Sequence, residues 1–508
     1  MRIFATSIAA LLLLAAVQAP AVALDDYGIK ADKKLAKALE DCADACYECG
    51  DKAKEKGLYR LARSYFDHAL RYDPEHKNTR KTLGYKKKKG EWVLEDDLIL
   101  LTDKINESKR AELEAKLWAE TAPIRTKASA ALLTFVNDTK LDPALRLLAL
   151  YHVVRLDPEN RDCQRATRST ADRMWYKHAV DDEHDTNRDK RIARATTGTK
   201  LAEESEYRKL SGIPFDSWRA DWVMIHLDIG EQAATWGPAL TQYAEASRSH
   251  ALEMLGLENG TAPAKDEHKL HYTVLRERER FGRFIETCSG IEEASRRKEI
   301  AQVGGGTPVE RPYGACWLYP NLDNDYGIRD GVAHDLAQKQ ITIHTGDGAF
   351  WLAFGAGYLN STHMNGSTSS RFYAVKSSQI IDTGGVEALP GFGESPAGWR
   401  LRVVMEITGG KRTKLRELAY SRPADYDNRA MAHAYCYTDY LINVHREKLA
   451  AFLKACYEER MKRIKAKEAG ETPGAILDRL FATLELDEAN FQAEFEKWCL
   501  TNYVKLPE

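Results

Sequence analysis

From Lys33 to about Tyr72, small and apolar residues recur every three to four positions, the period of helices with one buried face. Gly50, Gly57, Tyr59, Ala62, Phe66, Ala69 and Pro74 mark out two antiparallel helices within this stretch. Gly50 and Ala62 are small enough for a close approach, Tyr59, Phe66 and Ala69 fill the seam, and Pro74 stops the second helix. Leu83-Gly84-Tyr85, four lysines from Lys86 to Lys89 and Gly90-Glu91-Trp92-Val93 come next. Aromatic flanks around a basic, glycine-containing tip predict a small β-hairpin with solvated lysines rather than an anion site. Residues 105–200 are strongly charged and read as helices, among them an apolar stretch around Ala144 to Val154. Asp181 to Arg194 (DDEHDTNRDKRIAR) is so polar that an exposed connection or loop is expected. Its acids and histidine lack the glycine and spacing of a calcium loop.

The pattern changes near Trp218. Asp221 to Ile229 (DWVMIHLDI) and Leu270 to Leu275 (LHYTVL) are short apolar runs that predict strands. A long helix from Glu231 to about Leu255 follows the first, and a helix carrying Phe281, Phe284 and Ile285 follows the second. Gly304-Gly305-Gly306 and Tyr313 to Leu318 predict a turn and another strand, and from Ile328 the chain is mainly helical. The fold class expected is α+β, mostly helical, with a small sheet and a helical C-terminal part.

A chain of 508 residues exceeds one ordinary core. Hydrophobic residues at 44% and charged residues at 30% describe a soluble globular protein. A net charge of −2, with acids and bases interleaved, argues against nucleic acid and membrane surfaces as partners. Arg2, the apolar run Ile8 to Val17 and the small residues Ala21-Val22-Ala23 form the pattern of a secretory signal peptide over residues 1–23. Pro20 interrupts the run before a bilayer span. The mature chain is therefore expected in a periplasm or outside the cell, without membrane insertion.

Nine cysteines, an odd number over this length, make no disulfide framework. Cys163, Cys288, Cys316, Cys436, Cys456 and Cys499 are scattered, whereas Cys42, Cys46 and Cys49 form C-x3-C-x2-C. That motif resembles the iron–sulfur motif of radical-SAM enzymes, but no βα barrel follows and an exported compartment is hostile to such a cluster. On a helix the three share one face and read as small core residues.

Two resemblances organise the chain. The Gly50 to Pro74 spacing resembles one tetratricopeptide repeat, and a second, poorer candidate ends at Leu156-Asp157-Pro158-Glu159-Asn160. One repeat cannot bury its own faces, so it must stack on something. Farther on, Gly331 to Gln340 (GVAHDLAQKQ) and Phe350 to Leu359 (FWLAFGAGYL) resemble the two site helices of peptidase-MA-like gluzincin metallopeptidases. That family's first helix carries H-E-x-x-H, and its second reads roughly W-L-x-E-G-x-A-x-Y with a ligand glutamate. Trp351, Leu352, Gly355 and Tyr358 fit the second pattern. Ala434-Tyr435, Asp439-Tyr440-Leu441 and Phe495 to Trp498 resemble the helices that close that fold, so the likeness spans roughly residues 215–505. With the signal peptide at 1–23, the two resemblances imply tetratricopeptide-like helices with a hairpin insert at 24–104, a helical region and polar connection at 105–205, and a peptidase-like domain at 206–508.

Carried over position by position, the zinc site is broken. His334 matches the first ligand, Asp335 stands one methylene short of the glutamate base, Gln338 replaces the second histidine, and Phe354 replaces the ligand glutamate. Catalytic zinc needs three protein ligands and an open position, so no catalytic residue, metal or other cofactor is expected. An alternative donor set of His334, His344 and His363 needs the loop Thr345 to Gly348 to fold back, with Asp335 and Asp347 as further donors. Only that alternative, an active metal-dependent hydrolase, brings zinc. There is no G-x-S-x-G elbow; Gly366-Ser367-Thr368 and Cys288-Ser289-Gly290 read as loops, and Gly304 to Gly306 lacks a phosphate loop's Lys-Ser/Thr pair. The expectation is a non-catalytic binding or scaffold protein engaging a peptide or protein. A purely structural protein is favoured instead if Phe354 and Trp351 plug the cleft.

Overall fold

A computed structural model describes residues 30, 32–95, 103–157, 160–167, 169–170, 182–303, 306–309, 314–320, 326–366, 396–410, 413–421, 426 and 428–504. The expected signal peptide, Gly304-Gly305 and Ser367-Thr368 lie outside the described residues.

Helices α1 (Lys33–Glu55) and α2 (Tyr59–Tyr72) form an antiparallel pair. Asp32 caps α1, its carboxylate accepting from the backbone N–H groups of Lys34 and Leu35. A Cβ on Gly50 would fall 2.7 Å from Cε1 of Phe66, so glycine alone permits this approach. Ala62, Phe66 and Ala69 are fully buried along the seam, and α2 ends ahead of Pro74. Cys42, Cys46 and Cys49 are buried on α1, and burial pushes the Cys42 thiol up to about 12 and Cys49 to about 11.

After α3 (Lys77–Thr82), strands β1 (Tyr85–Lys88) and β2 (Glu91–Leu94) pair antiparallel, with Tyr85 opposite Leu94 and Lys88 opposite Glu91. Lys89 and Gly90 turn the corner at φ 50° and 93°, the two positive values of a tight hairpin. Lys86 and Lys88 pair with Glu95, and Lys87 with Glu75. The lysine run thus belongs to a locally neutralised hairpin end.

Helices α4 (Glu107–Val136) and α5 (Pro143–Leu156) pack together, tied by Asp157, which accepts from Thr126 Oγ1 at 3.0 Å and Ser129 Oγ at 3.3 Å. The loop expected from Asp181 is corrected to helix α6 (Asp182–Arg194). Its acidic half comes first and its basic half last, which suits the helix dipole. Ile192 packs near Tyr243 and Met364, and Arg191 pairs with Glu253, so a one-residue apolar anchor suffices.

The sheet holds β3 (Thr199–Lys200), β4 (Asp216–Arg219), β5 (Val223–Asp228), β6 (Leu270–Leu275), β7 (Gly306–Val309) and β8 (Gly314–Leu318), in the order β3-β4-β5-β6-β8-β7. Strands β5, β6 and β8 run parallel, and the flanking strands are antiparallel. Both faces of the parallel strands are covered, which is why their apolar runs scarcely alternate. Val223, Ile225, Leu227, Tyr272, Val274, Ala315 and Trp317 turn to α8 (Ala233–Leu255) and α11 (Tyr326–Thr345). Leu275 and Cys316 turn the other way, to α7 (Glu206–Ser211) and α9 (Arg278–Cys288), which precedes α10 (Ala294–Val303).

The C-terminal part consists of α12 (Phe350–Asn365), α13 (Pro396–Thr408), α14 (Leu415–Tyr420), α15 (Asn428–Ala466), α16 (Pro473–Leu484) and α17 (Glu488–Asn502). The largest core runs without a break from α1, α4 and α5 into these helices. Tyr151 on α5 lies under Gly409, where a Cβ would fall 2.2 Å from its ring, so the N-terminal helices stack on the end of α13. Between α13 and α15, buried Glu406 accepts from Arg402, Arg429 and His433. Among the described residues no helix is long and apolar enough to cross a membrane.

Candidate functional site

Helices α11 and α12 cross in close contact and carry the residues singled out above. His334 is fully buried, edge-on to Phe354 at 5.4 Å and Tyr358 at 4.8 Å between ring centroids. Burial pushes its pKa down to about 3, against an opposing pull from Asp330, so the imidazole is neutral. Phe354, 1% exposed, also packs on Phe350 and Tyr426. Asp335 is turned toward the sheet, accepting from the Tyr272 hydroxyl at 3.0 Å; burial raises its pKa while Lys339 and that hydrogen bond lower it. Gln338 is half-buried, and its backbone carbonyl accepts the Thr342 hydroxyl.

The alternative histidines are not brought together. His334 and His344 sit ten residues apart on α11, about 15 Å along its axis, far beyond two metal bonds of about 2 Å each. His344 Nδ1 contacts the Gln340 carbonyl at 2.6 Å and the ring leans on Tyr457, while His363 Nδ1 faces His250 Nε2 at 3.1 Å. Asp347 lies in the 3-10 turn Gly346–Ala349. Among the described residues no three His, Cys, Asp or Glu side chains gather as a metal site. Trp351 is 1% exposed against Tyr437, and Gly355 meets α15, where a Cβ would fall 2.1 Å from Thr438 Oγ1. The space around His334 is filled by aromatic side chains.

An open cleft of about 1090 Å³ lies instead on the opposite face of the sheet, between the β3–α7 segment, β5, β6 and the end of α9. At its floor runs a buried polar chain. Ser217 Oγ is 2.8 Å from His226 Nδ1, His226 Nε2 is 3.0 Å from His271 Nδ1, and His271 Nε2 is 2.8 Å from the Asp266 carbonyl. Burial holds both histidines below their ordinary pKa, hence neutral. The carbonyl can only accept, so His271 Nε2–H donates to it and His271 Nδ1 accepts from His226 Nε2–H. His226 Nδ1 then accepts from the Ser217 hydroxyl, and every imidazole nitrogen is used. The ring planes differ by 13° with centroids 5.2 Å apart, so the rings meet edge to edge.

Tyr207 stands beside both histidines on the cleft wall, and its buried hydroxyl has no hydrogen-bond partner among the described residues. Glu203, Glu204, Glu206, Asp266 and Glu267 give this wall an acidic excess over Lys200 and Arg219. Sequence reasoning missed this cleft. A signal was present in a histidine inside each apolar strand, His226 in DWVMIHLDI and His271 in LHYTVL. The pairing follows from the parallel register that sets Met224 beside His271 and His226 beside Thr273. Compared with protein-family models, curated proteins and solved structures, the chain matches none.

Proposed function

We propose that this chain is an exported, non-catalytic binding or scaffold protein, built on a zinc-metallopeptidase framework that has lost its metal site, and that it engages a peptide or protein. The observation that carries the non-catalytic part of this reading is the contact between His334 and Phe354. A phenyl ring packs on the imidazole from the position where the likeness calls for a ligand carboxylate, and Gln338 offers a neutral amide in place of the second histidine. Asp335, at the position of the family's base, is engaged by Tyr272 across the sheet interface. Phe354 and Trp351 fill this region, which by itself favours a purely structural protein, and the binding part of the reading rests on the open sheet-face cleft of about 1090 Å³.

The test is metal content of the mature protein beside His334→Ala and the restored pair Gln338→His with Phe354→Glu. Wild type is expected to carry no stoichiometric zinc, and the restored pair to take up zinc and gain thermal stability from it. Stoichiometric zinc in wild type that disappears with His334→Ala overturns the non-catalytic reading. A restored pair that folds yet ignores zinc overturns the metallopeptidase ancestry.

A further inference from the structure

Building on the reading of the chain as a peptide-binding protein, we propose that the ligand is an extended basic peptide lying in the sheet-face cleft, apolar residues inward and Lys or Arg residues at the rim. The cleft's charges are unevenly matched. Arg219 is held by Asp266, Lys200 by Asp216, and Glu204 by Arg208. Glu203 and Glu206 lie exposed on the same wall with no ion-pair partner among the described residues. Two free carboxylates beside neutralised cations attract positive charge and repel acidic ligands.

The floor asks for something apolar. Its two imidazoles have no nitrogen left for a ligand and present only carbon edges and ring faces, with Met224 beside them. Leu210 stands at the rim 57% exposed, an apolar side chain left in water at the mouth of a concave site. The buried Tyr207 hydroxyl on this wall also lacks a hydrogen-bond partner among the described residues. Such a mixture of apolar floor and few polar groups is the usual make-up of a ligand cleft, and about 1090 Å³ accommodates several residues.

The occupant's form follows from the sheet. Thr199 and Lys200 of β3 border the cleft, and among the described residues no strand pairs with β3 on its outer side. An extended chain added along that edge gains backbone hydrogen bonds and turns alternate side chains inward and outward. Side chains on the cleft side of that strand meet the wall that carries Glu203, Glu206 and the exposed Leu210.

The mature protein is titrated with fluorescein-labelled octapeptides of alternating Lys-Leu and alternating Glu-Leu, with spermidine as a free polyamine control. Each is repeated on Glu203→Lys/Glu206→Lys and on Leu210→Ser, exposed positions whose folding a thermal melt verifies. The Lys-Leu peptide is expected to bind, more weakly as salt rises, with roughly tenfold loss or more on charge reversal and a smaller loss with Leu210→Ser. Unchanged affinity in the charge-reversal variant overturns the site assignment while leaving a peptide-binding protein. No binding of either peptide by wild type overturns both readings, and spermidine binding as tightly as the peptide replaces the peptide with a small polyamine.

Discussion

The imidazole of His334 lies flat against Gly357: a Cβ on that glycine would fall 2.7 Å from both Cε1 and Nε2. Both residues are buried where α11 and α12 cross, and the ring is packed against Phe354 and Tyr358 rather than being a free side-chain end. Gly357→Ala is therefore expected to lower stability by about 1–3 kcal/mol, through overpacking. Urea unfolding followed by circular dichroism checks it; a midpoint equal to wild type means the two helices separate without resistance.

Acid stability carries a second prediction. Burial lowers the pKa of His226, His271, His334 and His433, in the last case against the pull of Glu406. The unfolded chain takes up protons near pH 6.5, whereas the folded chain does so only at lower pH, about 3 for His334. Between those values the unfolded state binds more protons, so stability rises with pH and is lost as pH falls below about 6.5. His226→Gln should flatten the slope between pH 6.5 and 5 by up to about 1.4 kcal/mol per pH unit. Urea midpoints across that range read the slope, and an unaltered slope shows that His226 already binds its proton when folded.

Much of this architecture could be read before the structure. The runs expected as strands at Asp221 to Ile229 and Leu270 to Leu275 appear as strands over Val223–Asp228 and Leu270–Leu275, because a strand covered on both faces is a plain apolar run. The Gly50–Phe66 contact and the Lys89-Gly90 corner were legible for local reasons, a small residue opposite a ring and a basic turn between aromatic flanks. Helix α6 was not, since its single apolar anchor, Ile192, makes no stripe. Strands β3, β4 and β7 span two or four residues, too few to show a period. The cleft was hidden for a different reason. His226 and His271 are 45 residues apart and meet only through strand register, while the residues lining their cleft come from segments scattered between Thr199 and Gly290.

Glu406, 4% exposed, accepts from Arg402 Nε at 3.2 Å, Arg429 Nε at 2.9 Å and His433 Nε2 at 2.9 Å. Burial alone raises a carboxyl pKa, yet His433 and the two guanidinium groups hold this one well below its ordinary value. Glu406→Gln strands buried positive charge and is expected to cost about 3–5 kcal/mol. Adding Arg402→Met should restore part of the loss. Equal losses in the single and double variants, measured by urea unfolding, count against charge as the cause.

At the hairpin, Gly90 has a φ of 93° and open space where a Cβ would stand. Gly90→Ala is therefore a test of backbone conformation alone, with an expected loss of about 1 kcal/mol. Lys89→Asn, at φ 50°, should stabilise the same corner by a few tenths of a kcal/mol. Amide hydrogen exchange over Tyr85–Leu94 reads both changes, faster in the first and slower in the second.

All nine cysteines are buried as thiols, spread from α1 to α17. With thiols such as Cys42 and Cys163 pushed up to about 12, an alkylating reagent finds no thiolate until the chain opens around it. Each sulfur therefore serves as a clock for its own neighbourhood, and the order of modification at Cys42, Cys316 and Cys499 ranks which layer of the core parts first. The same arrangement sets a race during biogenesis. On the proposed reading of an exported chain, its core must close over nine thiols before they find one another.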